Sequence, residues 1–421
     1  SSYFYPSAAL GFVFSNAVNT PWLSHGKLRV NYAEVGNDAP ALSLFDVYDK
    51  PTAFGSIPLF SLPSTKNNPN LRSERTKSFE AGIEAEFFEG RVGFDLTYYQ
   101  SSTFDQIFAV NTTSATGNTA RFVNSGEISN TGIELSAFGI PVNTNNFTWR
   151  FGLTFSRNRN EVVDLYEIGG VEVTNVQLAS FQGGVTTNAA VGHPYGTLRG
   201  TNFVYTNGQR TVNDDGRYVA TASSAEIIGN PNPDWLGGIT NNLNYKNFAL
   251  SFLVDMRYGG DIFSLDQWYG DGTGLYPDTA GLNENGVPSR DPVDEGGGIL
   301  LPGVQADGSP NTIRAGNEDG SETVFGYPTS PPRAWYIFDG SYVKLREVAV
   351  TYSLPAGFIE KIKGLGGIDI SLVGRNLWII HKNMEYSDPE ETLSSGNVSN
   401  GYQSGAYPAV RTYGFNVRFK F

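Results

Sequence analysis

The chain has 421 residues, with 29 basic and 42 acidic side chains and a net charge of −13, which argues against nucleic acid as a partner. It contains no cysteine, so disulfides, thiol catalysis and cysteine-ligated metals are excluded. No run of about eighteen apolar residues occurs, which excludes a membrane-spanning helix. The 13% aromatic residues and 49 glycines are typical of strands and tight turns.

The first strand is predicted at residues 8–14. Residues 1–14 contain no initiator methionine, basic start or small-residue cleavage site, and we expect the chain to be a piece of a longer protein. Ten further segments with period-two alternation follow, which gives about eleven strands. They are residues 27–35, 79–87, 92–98, 131–140, 147–155, 237–245, 248–256, 342–354, 368–378 and 411–421.

Two local irregularities are predicted near the end of the chain. Apolar residues change parity within 342–354, and a bulge near Arg346 and Glu347 would restore the alternation. Phe358, Ile362 and Leu365 follow at helical spacing, which predicts a short amphipathic turn within 356–365.

The last strand has one apolar and one polar face. Successive side chains of a strand point to opposite faces, and here one face carries Tyr413, Phe415, Val417, Phe419 and Phe421. The other carries Gly414, Asn416, Arg418 and Lys420. A strand of about ten residues with this pattern is what a membrane-spanning β-barrel requires.

Alternation alone does not separate a barrel from a soluble β-sandwich, but the connections do. Those after residues 14, 87, 140, 245 and 354 are short. Long connections, predicted at about 36–77, 103–130, 158–234, 259–338 and 381–410, alternate with them. This asymmetry is typical of periplasmic turns and extracellular loops. The predicted fold class is therefore all-β, a transmembrane antiparallel β-barrel of the outer membrane.

An ordered series of segments spans nearly the whole chain. It comprises YPSAALGFVFS (5–15), LRVNYAEVGND (28–38), LRSERTKSFEAGIEAEFFEGRVGFDLTYY (71–99), SNTGIELSA (129–137), IGNPNPDWLGGITNNLNYKNFAL (228–250), DGSYVKLREVAVTYSLP (339–355) and LVGRNLWI (372–379). In order and spacing these resemble the C-terminal part of the SusC/RagA family of TonB-dependent transporters of Bacteroidota.

The resemblance implies a barrel of about 22 strands, of which this chain would form about the C-terminal half. It also implies an N-terminal plug on which TonB pulls, and a SusD-like surface lipoprotein that lids the barrel and captures glycans or peptides. The plug, the TonB box and the first barrel strands have no counterpart in the sequence. Because unpaired strand edges are costly in lipid, we expect the remaining strands to belong to an upstream portion or a separate chain.

Three functions follow as hypotheses. The first is nutrient import through a plugged outer-membrane barrel, without covalent chemistry and with the loops at the cell surface. The second is a structural subunit of a larger outer-membrane assembly, such as a secretion or barrel-insertion complex with other subunits. The third, a soluble β-sandwich adhesin, fails if the protein needs detergent to remain dispersed.

No cofactor, metal or catalytic residue is predicted. His25, His193 and His381 are isolated, which argues against zinc, and no glycine-rich phosphate loop opens a helix. The run 213–216 (Asn-Asp-Asp-Gly) has the look of a calcium loop, but it lacks the closing glutamate and is interpreted as a turn. The acidic run 388–391 is interpreted as a solvated loop.

Three groups of residues are candidates for function. Aromatic side chains in or beside the longest connection are candidates for contact with a ligand or the lid, with packing or a membrane girdle as the alternative: Trp268, Tyr269, Tyr276, Trp335 and Tyr336. Charged side chains on polar faces are predicted to face the lumen, mostly in salt bridges or plug contacts and in a minority of cases in contact with substrate: Arg91, Asp95, Arg150, Asp255, Arg257, Asp369, Arg375 and Arg418. The final strand, ending at Phe421, resembles the signal that barrel-assembly machinery reads, with an aromatic of the periplasmic membrane girdle as the alternative role for Phe421.

Overall fold

The computed structural model describes residues 4–18, 20–168, 170–316, 331–359, 362, 364–393 and 399–421. Its main feature is an antiparallel sheet in which eleven strands pair in chain order. The strands are β1 Ser7–Phe12, β2 Leu23–Asn37, β3 Glu74–Phe87, β4 Val92–Asn111, β5 Ala120–Asn143, β6 Phe147–Asp164, β7 Trp235–Tyr245, β8 Phe248–Tyr258, β9 Tyr342–Ser353, β10 Gly367–Lys382 and β11 Thr412–Lys420. All eleven predicted strands are confirmed.

Apolar side chains form continuous rows across one face of this sheet. The strand register places Leu10, Val30, Ala81, Tyr98 and Ile133 in one row. A second row contains Trp149, Leu243, Leu250, Val350, Leu372 and Phe415. Many of these side chains are exposed, with Phe415 at 67%. A continuous exposed apolar face of this kind fits a hydrocarbon environment.

The two ends of the sheet differ in the length of their connections. At one end the strands are joined by residues 13–22, 88–91, 144–146, 246–247 and 354–366, and at the other by 38–73, 112–119, 165–234, 259–341 and 383–411. The predicted loop at 103–130 is wrong in extent, because β4 and β5 continue through most of it. In paired strands the backbone N–H and C=O groups hydrogen-bond to each other, so a hairpin can continue beyond the membrane without losing these hydrogen bonds.

Both predicted irregularities near the chain's end are present. Leu345 and Glu347 pair with consecutive residues of β8, so Arg346 is the bulged residue. The turn predicted within 356–365 contains a short helix, α2, at Ala356–Ile359. Phe358 on that helix is exposed and Ile359 is buried.

The long β4–β5 hairpin changes its apolar face near its middle. Asp105 and Gly126 lie between the opposed pairs Phe104–Glu127 and Gln106–Ser125, and both have positive φ, 55° and 77°. Before this point even-numbered β4 side chains such as Tyr98 are exposed. Beyond it, an even-numbered set that includes Phe108 is buried against the loops. The left-handed pair therefore turns the hairpin from a lipid-facing surface into a support for the loops.

Replacing Gly126 by alanine is expected to destabilise the protein by about 2 kcal/mol, because its Cβ would lie 2.4 Å from the Asp164 carbonyl oxygen. Gly208 is a matched control, since its φ is also positive but no atom lies within 4 Å of an added Cβ. Denaturant unfolding in detergent measures both variants. Equal losses of stability would show that the close approach at Gly126 has no energetic role.

The outermost strands of the sheet are β1 and β11. Among the described residues neither has a partner on its outer side, so the eleven strands form an open sheet. An open edge in lipid leaves backbone amides unsatisfied.

The long connections fold into an ordered assembly, hereafter the loop assembly, made of the described parts of 165–234, 259–341 and 383–411. It contains a four-stranded sheet of Asn175–Phe181, Val185–Ala190, Thr197–Gly200 and Glu226–Gly229. A three-stranded sheet contains Ile337–Asp339, Asp261–Ser264 and Tyr402–Gln403. The helix α1 spans Leu265–Thr273 and is capped by the Ser264 hydroxyl, which accepts from the Gln267 amide at 3.1 Å.

Shorter elements complete the connections. Two-residue strands occur at Thr65–Lys66, Glu167–Ile168, Val171–Glu172, Tyr205–Thr206 and Gln209–Arg210. Single 3-10 turns occur at Phe14–Asn16, Ser114–Thr116, Pro277–Thr279, Val293–Glu295 and Arg333–Tyr336. None of the helices in the described ranges is both long and apolar enough to cross a membrane.

Candidate functional site

The polar face of the sheet carries paired charges. Arg29 forms a bidentate pair with Asp95, with distances of 2.5 and 2.9 Å. Asp369 accepts from Ser353 at 2.8 Å and pairs with Lys420 at 2.8 Å, while Arg418 lies opposite it in the register. A groove of about 610 Å³ on this face is lined by residues that include Arg29, Asp95, Glu134, Ser136 and Asp255.

The other predicted polar-face residues lie in several settings. The Arg375 Nε donates to Glu347 at 2.8 Å, and Arg257 donates to the carbonyls of Pro231 and Gly259. The Arg150 guanidinium lies 4.6 Å from the centre of the Phe138 ring. Arg91 does not belong to a strand: it lies in the tight turn 88–91, where it follows the left-handed Phe88 and Glu89.

The most concentrated charge cluster, hereafter the anchor network, joins the last long connection to the polar face. Lys344 on β9, with its side chain only 5% exposed, pairs with Asp388 and, at 2.6 Å, with Glu390. Arg346 pairs with Glu390 and donates twice to Asp255, at 2.6 and 2.8 Å. Two cations on one strand are thus neutralised by two carboxylates of residues 383–411 and one carboxylate of β8.

Burial and charge act in opposite directions on Glu390. Burial raises the pKa of its carboxyl, but hydrogen bonds from Arg346 and Lys344 outweigh that effect and lower the pKa to about 2. The Tyr342 hydroxyl lies 3.1 Å from Glu390 and 3.2 Å from Asp255. Glu390 therefore remains charged, and the segment that carries it is fastened to the barrel wall.

The solvated loop predicted at 388–391 is wrong for Asp388, whose side chain is only 10% exposed, whereas Glu390 is 34% exposed and is held by ion pairs. Their partners Lys344 and Arg346 are absent from the predicted site residues. The alternation of β9 carried part of the signal, because Lys344 has polar-face parity beside Asp255. Arg346 lies two residues beyond Lys344 and therefore shares its polar-face parity, so both cations could have been placed on this face from the alternation of β9.

The five aromatic candidates have different environments. Tyr336 is 0% exposed in a core cluster with Phe263 and Tyr402, so internal packing applies to it and ligand contact does not. Trp335 packs between this cluster and a second one, near Arg210. Both residues therefore hold the loop assembly together.

The other three aromatic candidates lie on or beside α1. Trp268 stacks near the Arg333 guanidinium, at 4.9 Å. Tyr269 is 43% exposed, and its hydroxyl accepts from the Gln182 side chain. Tyr276 stacks on Tyr386 with ring centres 4.2 Å apart. Tyr269 is consequently the candidate best placed to meet a ligand.

The acidic run at 213–216 forms a turn. Asn213 Oδ1 accepts from the amides of Asp215 at 3.1 Å and Arg217 at 2.9 Å, and Gly216 has a φ of 73°. This is the Asx-turn geometry that Asn and Gly favour. Across the described ranges, no three His, Cys, Asp or Glu side chains are placed to hold a metal ion.

Comparison with known proteins identifies the family. The family described as "TonB dependent receptor-like, beta-barrel" matches residues 1–289. The chain belongs to this TonB-dependent receptor β-barrel family. The fold prediction and the resemblance to SusC and RagA are thereby confirmed, and the family's members are outer-membrane barrels.

Individual relatives cover nearly the whole chain. TonB-dependent receptor P26 of Formosa agariphila is 28% identical over 99% of this chain and 42% of its own length. TonB-dependent receptor SusC of Bacteroides thetaiotaomicron is 24% identical over 99% of this chain and 40% of its own length. The chain therefore spans less than half the length of these curated relatives.

A solved structure supports the same fold. The structure described as "Structure of the RagAB peptide transporter" aligns with 99% of this chain and 43% of its own, with a TM-score of 0.70 and 19% identity. A "closed-closed" state of the RagAB peptide importer gives a TM-score of 0.71 at 20% identity. At this identity the likeness establishes the fold of the barrel wall.

The end of the last barrel strand provides a test of assembly. Phe421 is 96% exposed and follows β11, on whose apolar face Tyr413, Phe415 and Phe419 are also exposed. Val417 completes this face and pairs with Ile370. Deleting Phe421 from the full-length receptor is expected to lower the yield of folded barrel in the outer membrane by several-fold, measured by heat-modifiable gel mobility.

Phe358→Ala is the matched control for this deletion, because Phe358 is also an exposed aromatic but lies on α2. We expect this variant to assemble normally. An unchanged surface yield without Phe421 would contradict the prediction that this strand carries an assembly signal.

Proposed function

We propose that this chain forms part of the barrel of an outer-membrane importer for glycans or peptides. In this proposal a SusD-like surface lipoprotein covers the barrel, TonB supplies energy through a plug, and the long connections lie at the cell surface. No covalent chemistry is involved. The proposal concerns the whole receptor, of which this chain would supply about half of the barrel.

The observation that carries the proposal is the ordered loop assembly fastened to the polar face. A pore that only conducts needs no such layer, whereas an importer must hold a ligand before it passes. The anchor network holds Asp388 and Glu390 to β9, and Tyr402 of the same connection packs into the core of the loop assembly. This arrangement supports a preorganised capture surface.

The similarity to SusC and to the RagAB peptide transporter supports import of an oligomeric nutrient. Aromatic side chains can stack on sugar rings or on peptide side chains, so Tyr269 is compatible with either class. The polar groove near Asp95 and Asp255 would then lie along the path of the ligand.

Uptake measurements test the proposal directly. Cells lacking the full-length receptor, and the same cells complemented with it, would be supplied with labelled oligosaccharides and labelled oligopeptides. We expect uptake of one class to require both the receptor and an active TonB. A strain with inactive TonB is the matched control.

The scaffold hypothesis gives a different result. If the receptor serves as a structural subunit, its loss leaves uptake of both nutrient classes unchanged and depletes other outer-membrane proteins instead. Affinity capture of the full-length receptor would then recover stable non-lipoprotein subunits. A SusD-like lipoprotein as the main captured protein supports import.

A further inference from the structure

An arginine interrupts one of the apolar rows on the lipid-facing side of the sheet. The register places Tyr98, Ile133 and Arg157 side by side on β4, β5 and β6. Opposed residues of paired strands project from the same face, and all three side chains are exposed. Arg157 therefore points outward, away from the groove on the polar face.

The side chains around Arg157 are those of a membrane interface. The neighbouring strand, β7, begins with Trp235. The Trp235 ring stacks on Tyr258, with ring centres 5.6 Å apart, and its centre lies 6.0 Å from that of the Phe155 ring. Trp and Tyr concentrate where hydrocarbon meets headgroups. A charged side chain on the lipid face is costly at the midplane and nearly free at this boundary, so Arg157 marks the boundary at the end of the long connections.

Two other cations on this face are paired with carboxylates, whereas Arg157 is not. Arg159 pairs with Asp234 at 2.7 Å, and Arg75 pairs with Glu34. Within the described ranges, Arg157 has no carboxylate at ion-pair distance. The acidic residue Glu161 has the same parity as Arg157 but lies four residues further along β6, away from the apolar rows.

We propose that Arg157 binds the phosphate of an anionic lipid headgroup, with Trp235 and Tyr258 lying against the adjoining lipid. A guanidinium presents paired donors that match phosphate oxygens. The apolar rows below it supply the surface for the acyl chains, so the headgroup site is continuous with the lipid-facing surface. The site is separate from the nutrient path proposed above.

Native mass spectrometry of the full-length receptor tests this inference. The receptor would be placed in phosphatidylcholine nanodiscs with or without monophosphoryl lipid A, and retained lipids would be counted. We expect the wild type to retain the phosphorylated glycolipid, and Arg157→Gln to bind it about fivefold more weakly. Arg157→Lys is expected to bind more weakly than the wild type but more tightly than Arg157→Gln, because the positive charge remains and the paired donors are lost.

Arg150→Gln is the matched control, because Arg150 lies on the same strand but on the polar face. It is expected to retain lipid as the wild type does. Heat-modifiable mobility verifies that each variant is folded.

Three results would overturn the inference: equal retention by Arg157→Gln, equal retention of dephosphorylated lipid A, or displacement of the lipid by inorganic phosphate alone. The last result would identify a general anion site.

Discussion

Replacing Lys344 by methionine is expected to destabilise the protein by about 3 kcal/mol. The change removes one cation from the partly buried carboxylates of Asp388 and Glu390. A buried charge that has lost its partner destabilises the folded state far more than the intact ion pair does. Urea unfolding of the detergent-folded receptor, followed by tryptophan fluorescence, measures the loss.

Lys420→Met is the matched control. Lys420 also pairs with a carboxylate, Asp369, but the Lys420 side chain is 53% exposed and Arg418 lies opposite Asp369, so the carboxylate keeps a cation nearby when Lys420 is removed. Its loss is expected to cost about 1 kcal/mol or less. In the double variant Lys344→Met with Asp388→Asn, part of the lost stability should return. Equal effects of the two lysine variants would show that the anchor network does not fasten the loop assembly.

The low pKa of Glu390 makes the stability of the folded protein fall as the pH is lowered. Its carboxyl has a pKa of about 2 in the folded protein against an ordinary value of 4.5, so the folded state favours the ionised form. The resulting stability is fully present above pH 4.5 and is lost as the pH falls toward 2. Glu390→Gln should flatten this part of the unfolding profile. An unchanged profile in that variant would contradict the assignment.

The barrel wall could be predicted from the sequence because its signal is local. Alternation along one strand fixes which side chains share a face, and the C-terminal residues Phe415 and Phe419 show it clearly. Neighbouring strands then follow in chain order, since antiparallel strands need only short turns. Even the bulge at Arg346 was visible as a change of parity.

The loop assembly could not be predicted in the same way, because its contacts join distant segments. The Tyr402 hydroxyl donates to the Gln182 carbonyl at 2.8 Å, across 220 positions of sequence. Gln403 donates to Asp266 at 2.6 Å across 137 positions. No short-range pattern encodes such pairs. The pairing of Asp388 and Glu390 cannot be predicted for the same reason, since their partners lie on β9.

The face change in the β4–β5 hairpin was missed for a different reason. Phe108 continues the alternation of Leu96 and Tyr98, so parity predicts the same face for all three. A left-handed residue in the strand reverses the face without breaking the sequence pattern. Asp105 is not a glycine, and its positive φ leaves little trace in the sequence.

Replacing Tyr336 by alanine is expected to destabilise the loop assembly by about 3–5 kcal/mol, because it opens a cavity in a fully buried cluster. The effect should be confined to the long connections, since the apolar rows of the sheet do not depend on Tyr336. Hydrogen exchange should therefore rise in 165–234 and 259–341 while the strands keep their protection.

Tyr269→Ala separates packing from ligand contact. Tyr269 is a tyrosine like Tyr336, but its side chain is 43% exposed. Its removal is therefore expected to leave hydrogen exchange within the loop assembly nearly unchanged. If Tyr269 meets the nutrient, uptake by this variant should fall at unchanged surface yield, because a stacking partner for the ligand is lost. Increased exchange in the Tyr269 variant equal to that in the Tyr336 variant would assign both residues to packing. Unaltered exchange in the Tyr336 variant would contradict the buried cluster as the core of the loop assembly.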